Sequence, residues 1–374
     1  MNLARFRRLD RRVLAAAGIV VALGAVFVAS AVANGSQGSL AGHGLRLVVA
    51  TAFGIALFLA PSRFLKRHAY LFYGGVVLAL LFVLVAGRAT NNARRWIDLP
   101  GGFKLQPSEF AKLALILALA KYACVRRRLE RFEGLVVPVS LAAFAAALVV
   151  VEPDLGTALV FPPILFGMLY VGGTRGGSLT LLLALALAAL PAGAWFGMHR
   201  YQRERVTTWW HQGKLLEEPT LQRYEGYHLY HAKVAVGSGG VLGKGIGRGP
   251  ENRLDLLPER SNDFIFAVVA EESGFLGGAA LLAVYSALVF LLFGTAIRLR
   301  DPFDRLCATG VACLFATHLF LNVGVAIGLL PTTGITLPFV SFGGSSTIAA
   351  AGALGLALNG AARHEPDLSA DGFA

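Results

Sequence analysis

Apolar runs long enough to cross a bilayer recur along almost the whole chain, and that repetition leaves few folds open. About 20 residues of helix cross ~30 Å of hydrocarbon. Runs near or above that length fall at 13–33, 44–60, 69–87, 108–125, 134–151, 157–172, 178–198, 263–297, 303–330 and 343–362, the sixth short and broken by Pro162-Pro163. With 56% hydrophobic and only 15% charged residues among 374, and a mean hydropathy of +0.63, the chain reads as an integral membrane protein. No run alternates apolar and polar residues, which argues against a closed β-barrel. The expected fold is therefore an all-α polytopic bundle of about ten transmembrane helices, a single domain over 1–374.

Basic residues set the orientation, because short cytoplasmic loops keep Lys and Arg while translocated ones lose them. Arg5, Arg7, Arg8, Arg11 and Arg12 precede the first run, and Arg63, Lys66 and Arg67 follow the second. Arg126, Arg127, Arg128 and Arg131 follow the fourth, Arg175 the sixth, and Arg298, Arg300 and Arg305 the eighth. Every second loop is basic, which predicts cytoplasmic termini, residues 1–12 at one and a short polar 363–374 tail at the other. Connections at 34–43, 88–107, 199–262 and 331–342 then face outward, and 199–262 is a large extracytoplasmic loop between the seventh and eighth helices. Ala31-Val32-Ala33 resembles a signal-peptide cleavage site, but the apolar stretch before it is too long and the charge alternation requires that helix to stay. Cys124, Cys307 and Cys313 lie in helices or at the inner side, so no disulfide framework is implied. The inside-positive arrangement accounts for most of the net charge of +12, and no nucleic-acid partner is expected.

Some basic charge falls outside, against the rule. The short 88–107 loop carries Arg88, Arg94, Arg95 and Lys104 against Asp98, and 199–262 holds ten Lys or Arg against seven acids. Long loops are exempt from the bias and short ones are not, so the first reads either as an anion site or as a contact for lipid head groups, with Trp96 at the interface. Gln106-Pro107-Ser108-Glu109 opens a helix with proline at its first position and an acid at its positive end. Lys112 lies on the same face as Glu109 and can pair with it. A pair embedded in a membrane is costly, and structural pairing and substrate holding both remain open. Asp154, in Glu152-Pro153-Asp154-Leu155-Gly156-Thr157, either caps the sixth helix or serves the outer face.

In the large loop the glycine-rich stretch 237–247 carries neither a P-loop nor a G-x-G-x-x-G pattern, which removes the usual nucleotide-binding readings. Its backbone N–H groups either cradle an anion beside Lys244, Arg248 and Arg253 or give plain flexibility. Where this loop meets the eighth helix, Asp263 is a lone carboxylate at the lip of the membrane, a position that invites function. Glu271 lies two turns below on nearly the same face. Gly274 with Gly278, and Gly324 with Gly328, have the spacing of close helix contacts. The irregular apolar 328–346 segment is expected to dip into the bundle and wall a cavity.

Taken together, GxLPTTGITLPFVSFGGSS at 328–346, GSGGVLGKGIG at 237–247, LPERSNDFIFAVVAEESGFLGG at 257–278, ARRWID with LQPSEFAKL at 93–113, and EPDLGT at 152–157 resemble the SEDS family of RodA- and FtsW-type proteins. The likeness keeps the family's order and covers nearly the whole chain beyond the first helix. It implies a peptidoglycan glycosyltransferase that polymerises lipid II, the undecaprenyl-pyrophosphoryl disaccharide-pentapeptide, at the outer face of the bacterial cytoplasmic (inner) membrane. By that resemblance Asp263 matches the catalytic aspartate, while Arg94, Arg95, Glu109, Lys112 and Asp154 match the polar cavity. Asp255 and Glu259 match acidic positions before it. Lys244, beside the glycine-rich stretch, is a further expected substrate contact. Ser261-Asn262 stands where the family often has His-Thr, and Glu271-Glu272-Ser273 where Glu-Glu-Leu is frequent. Neither departure touches Asp263.

Such a transfer needs a base for the acceptor hydroxyl and cations for the departing pyrophosphate. A single carboxylate suits direct displacement with inversion, by analogy with inverting glycoside chemistry. Asp263 would be that base, or the holder of a divalent ion (Mg or Mn). A class B penicillin-binding protein, a monofunctional transpeptidase, is the partner implied by the resemblance. Two other classes compete: a flippase for the same lipid, and a non-catalytic scaffold of the synthesis complex.

Overall fold

The computed structural model describes residues 10–36, 39–90, 93–99, 103–125, 129–197, 200–213 and 226–363. Arg5, Arg7, Arg8, Arg126, Arg127, Arg128 and nearly all of the predicted tail lie outside them. Helices occupy the apolar runs: α1 Arg11–Ala33, α2 Leu40–Leu59, α3 Ser62–Ala86, α4 Pro107–Ala123, α5 Val136–Val151, α6 Leu155–Ala158, α7 Phe161–Val171 and α8 Gly176–Gly197. The outer loop contributes α9 Arg200–Trp210, α10 Tyr227–Ser238 and α11 Pro250–Arg253, before α12 Ile265–Arg298, α13 Pro302–Ala326 and α14 Gly344–Ala361. Six helices among the described residues are long and apolar enough to cross a membrane. The sixth predicted run is two helices, α6 and α7, parted just before Pro162-Pro163, because neither proline has an N–H to give and each ring would clash with the carbonyl four residues back in a continuing helix.

The outward 88–107 connection holds three short strands. β1 Arg88–Thr90, β2 Ala93–Leu99 and β3 Phe103–Leu105 pair antiparallel in chain order, and this meander sits on the α4 N-terminus. α4 and α13 are buried on nearly every side, as helices apolar all round must be when they fill a bundle's interior.

Polar contacts sort the two ends of the bundle. At one end Asp10 pairs with Arg298 at 2.7 Å, Ser62 donates to Asp304 at 2.9 Å, and Arg363 reaches Asp304 at 3.4 Å. The start of α1 and the end of α14 therefore share a side, as the charge alternation requires. Asn34, Asp154 and Asp263 gather at the other end.

Two glycine expectations change. Gly274 is not a helix-contact glycine: its φ of 68° and ψ of −167° break α12. Nor does Gly324 meet a helix backbone, since a Cβ there would touch the Leu330 side chain. The close helix contact is instead Gly54 on α2 against Gly355 on α14, where a Cβ on Gly355 would lie 2.1 Å from the Gly54 carbonyl. Replacing Gly355 by Val should force the two helices apart and cost about 1–3 kcal/mol, the usual range for overpacking. Gly18→Ala meets nothing within 4 Å and should be neutral or stabilising. Thermal melts of the two variants in detergent measure the difference.

Candidate active site

The approach to Asp263 is a tight turn held from three sides. The backbone N–H groups of Asn262 and Asp263 both donate to the Glu259 carbonyl at 3.0 Å, and Asp255 and Glu259 take left-handed conformations at φ 57° and 49°. Non-glycine residues persist there only when their surroundings impose it. Arg260, buried beneath, forms an ion pair with Asp255 and donates to the Asn34 carbonyl at 2.8 Å, tying the turn to α1. The 331–343 segment supplies the wall. Phe342 N–H donates to the Ser261 carbonyl at 2.8 Å, Ser341 Oγ to the Asn262 carbonyl at 2.6 Å, and Asn322 Nδ2 to the carbonyls of Asp263 and Ile335, each at 2.8 Å. The segment comes so close that a Cβ on Gly334, at φ 72°, would sit 3.4 Å from Asp263 Oδ2.

These bonds fix the Asp263 backbone and leave its carboxylate free, with no hydrogen bond to it among the described residues. Burial pushes the carboxyl up to about 7, the charge of Glu259 adding to it, Arg205 opposing, and Asp154 and Arg95 acting more weakly. Arg205 comes from α9, where its Nη1 donates to the Thr332 carbonyl at 3.3 Å and its guanidinium lies over the Tyr201 ring. Arg95 of β2 donates to the Glu152 carbonyl at 2.9 Å and bonds the Pro153 carbonyl. Tyr201 and Gln202 donate to that same Pro153 oxygen at 2.9 and 3.2 Å. β2 and α9 thus clamp the 152–154 turn beside Asp263. Asp154 caps its helix, Oδ1 accepting from Thr157 N–H at 3.2 Å, while Oδ2 accepts from Gln106 and Ser108 and so ties the turn to the start of α4.

Deeper in the bundle, Lys112 Nζ lies 2.9 Å from Glu109 Oε2 and 3.0 Å from His318 Nε2. His318 Nδ1 is 2.8 Å from the Thr336 carbonyl. A carbonyl only accepts, so Nδ1 carries the proton and Nε2 accepts from the Lys112 ammonium. The Glu109–Lys112 pair is in this way linked through α13 to the wall of the Asp263 site.

Of the residues singled out by sequence, Asp263, Glu259, Asp154 and Arg95 come together, with Glu109 and Lys112 one layer deeper. Arg94 lies in β2 opposite Ala89, and its side chain is outside the described part. Asp255 is turned toward Arg260. Lys244 is not brought to this cluster: its Nζ stands 3.7 Å from Glu271. The anion cradle is also corrected, since the N–H groups of Lys244 and Gly245 donate to the carbonyls of Glu271 and Glu272. Sequence reasoning missed Arg205, His318 and Asn322. The last two were detectable as polar residues four apart on one face of an apolar helix. Among the described residues no cluster of His, Cys, Asp and Glu forms a ready metal site.

A family model described as "Cell cycle protein", FtsW/RodA/SpoVE, matches residues 10–365. Peptidoglycan glycosyltransferase MrdB of Escherichia coli K12 is 34% identical over 299 residues, 80% of this chain and 79% of that protein. A probable peptidoglycan glycosyltransferase FtsW of Tolumonas auensis is 36% identical over 355 residues, covering 91% and 88%. Among solved structures, Thermus thermophilus RodA superposes with a TM-score of 0.68 at 32% identity, covering 94% of this chain and 96% of that one. A chain of a peptidoglycan synthase complex that coordinates polymerization and crosslinking reaches 0.77 at 33% identity over the same shares. With a match over almost its full length and relatives above 30% identity, this chain belongs to the FtsW/RodA/SpoVE (SEDS) family.

Proposed function

We propose that this protein is a peptidoglycan glycosyltransferase that polymerises lipid II, with Asp263 as the general base. The observation that carries this reading is a carboxylate whose backbone N–H and carbonyl are both held, which takes no hydrogen bond among the described residues, and which has Arg205 and Arg95 close enough to oppose its raised affinity for a proton. In the reaction the acceptor sugar hydroxyl gives its proton to Asp263 as its oxygen bonds to the anomeric carbon of the donor. The bond from that carbon to the pyrophosphate breaks on the opposite face, inverting the centre, and the lipid pyrophosphate leaves as an anion. Arg205 is placed to offset that charge. A divalent ion, were one bound, would be held by the Asp263 carboxylate and would add positive charge against the departing pyrophosphate.

The same reading puts the protein in a bacterial cytoplasmic membrane with both termini inside and Asp263 outside. The opposed ends of the bundle support it. A class B penicillin-binding transpeptidase is the partner that would crosslink the product, in keeping with the synthase complex to which the fold is similar.

Asp263→Asn should lower polymerisation of lipid II by the purified protein by roughly 10²–10⁴, the span of a general base, with the melting temperature kept. Full polymerisation by the variant would reject the assignment. The pH profile gives a sharper test, because the base works only as the carboxylate. Activity should fall as the pH drops through about 7 and level off above it. Glu259→Gln removes a negative neighbour and should move that midpoint down, whereas Arg205→Met removes a positive one and should move it up. Initial rates between pH 5 and 9 read all three.

A further inference from the structure

The break in α12 is filled by the glycine-rich loop. Lys244 and Gly245 N–H donate to the Glu271 and Glu272 carbonyls, and Phe275 and Leu276 N–H donate to the Gly240 and Val241 carbonyls. Gly243, at φ 79°, lies against the break so closely that a Cβ would be 2.2 Å from the Glu272 oxygen. The loop therefore sits wherever the break sits, and two observations give that depth. Ser30, near the outer end of α1 at Ala33, donates to Glu272 at 2.6 Å. In addition, the stretch from Phe275 down to Arg298 rises about 35 Å at 1.5 Å per residue, just enough for the hydrocarbon and its edge.

At that depth the loop turns apolar side chains outward. Val241 is 63% exposed, Leu242 77% and Ile246 60%, next to Phe275 at 71% and Leu276 at 55%. Phe275 begins a stripe of exposed residues that continues at helical spacing to Phe290 and Ile297 on the same face of α12, so the loop extends a lipid-facing surface. Exposed Arg248 and Arg253 follow it in the chain, the arrangement of cations at head-group level behind apolar anchors.

We propose that residues 240–247 form a re-entrant anchor inserted into the outer leaflet, with Val241, Leu242 and Ile246 among the lipid acyl chains. The anchor shares its footing with the active-site approach, because the Glu271 carboxylate also accepts from the Glu251 and Asn252 N–H groups that open α11. The inference does not depend on the chemistry assigned to Asp263.

The test uses the full chain in lipid nanodiscs, with Cys124, Cys307 and Cys313 changed to Ala and an environment-sensitive fluorophore on Leu242→Cys. Leu71→Cys, on the exposed side of α3, is the lipid-facing reference. Lipids brominated on the acyl chain should quench the Leu242 probe as strongly as the Leu71 probe, and aqueous iodide should leave both bright. Quenching by iodide alone would place the loop in water, and protection from both quenchers would mean that it packs on protein; either result overturns the anchor. Should the cysteine-free background misfold, photolabelling of the unaltered chain by a diazirine lipid replaces it. Label on the 240–247 peptide supports insertion, and its absence while α3 is labelled rejects it.

Discussion

A backbone amide or carbonyl at membrane depth has no water to bind, so any interruption of a spanning helix must be repaired from within the protein. In this chain one interruption governs much else. Gly274 breaks α12, and the carbonyls of Glu271 and Glu272 and the N–H groups of Phe275 and Leu276 are all satisfied by the 240–245 loop. That repair accounts for the glycines, because only a backbone without side chains comes this close. It also accounts for the burial of the two acids. Glu271 is capped by the N–H groups of α11, and Glu272 accepts from Ser30 and Asn252. The large outer loop is thereby stitched to α1 and α12 before it reaches Asp263.

The same constraint shapes the candidate active site. The 331–343 segment is irregular, yet its polar backbone is answered by neighbours: Asn322 takes the Ile335 carbonyl and His318 sits against that of Thr336. In meeting those needs the segment also grips residues 261–263, so one set of hydrogen bonds both makes a non-helical wall tolerable and aims Asp263. Burial pushes its carboxyl up toward neutrality, the range that suits the base proposed above. Fixed backbone and free carboxylate are two sides of one arrangement.

Misreadings of the sequence share a cause. Glycines four residues apart suit close helix packing, but Gly274 uses its freedom for a left-handed break, while the close contact between α2 and α14 joins Gly54 to Gly355, far apart in sequence. A glycine-rich stretch beside lysine suits an anion cradle, until its N–H groups are found pairing with carbonyls of α12. Asp154 reads locally as a helix cap, and it is one, but its second oxygen is taken by Gln106 and Ser108 from another part of the chain. His318, Asn322 and Arg205 carried too little local pattern to stand out, although the first two interrupt an apolar helix in a way that asks for partners.

Hydropathy and charge determine the membrane class, the helical fold and the sharing of one side by the start of α1 and the end of α14, because the cost of placing polar groups in hydrocarbon acts on each segment separately and is written along the chain. The lone carboxylate at the mouth of α12 is likewise visible there. What only the tertiary structure decides is the company it keeps. Arg205 from α9, Arg95 from β2, Asn322 from α13 and the wall at 331–343 meet Asp263 through long-range hydrogen bonds, and which distant donor finds which acceptor depends on packing that no local pattern records.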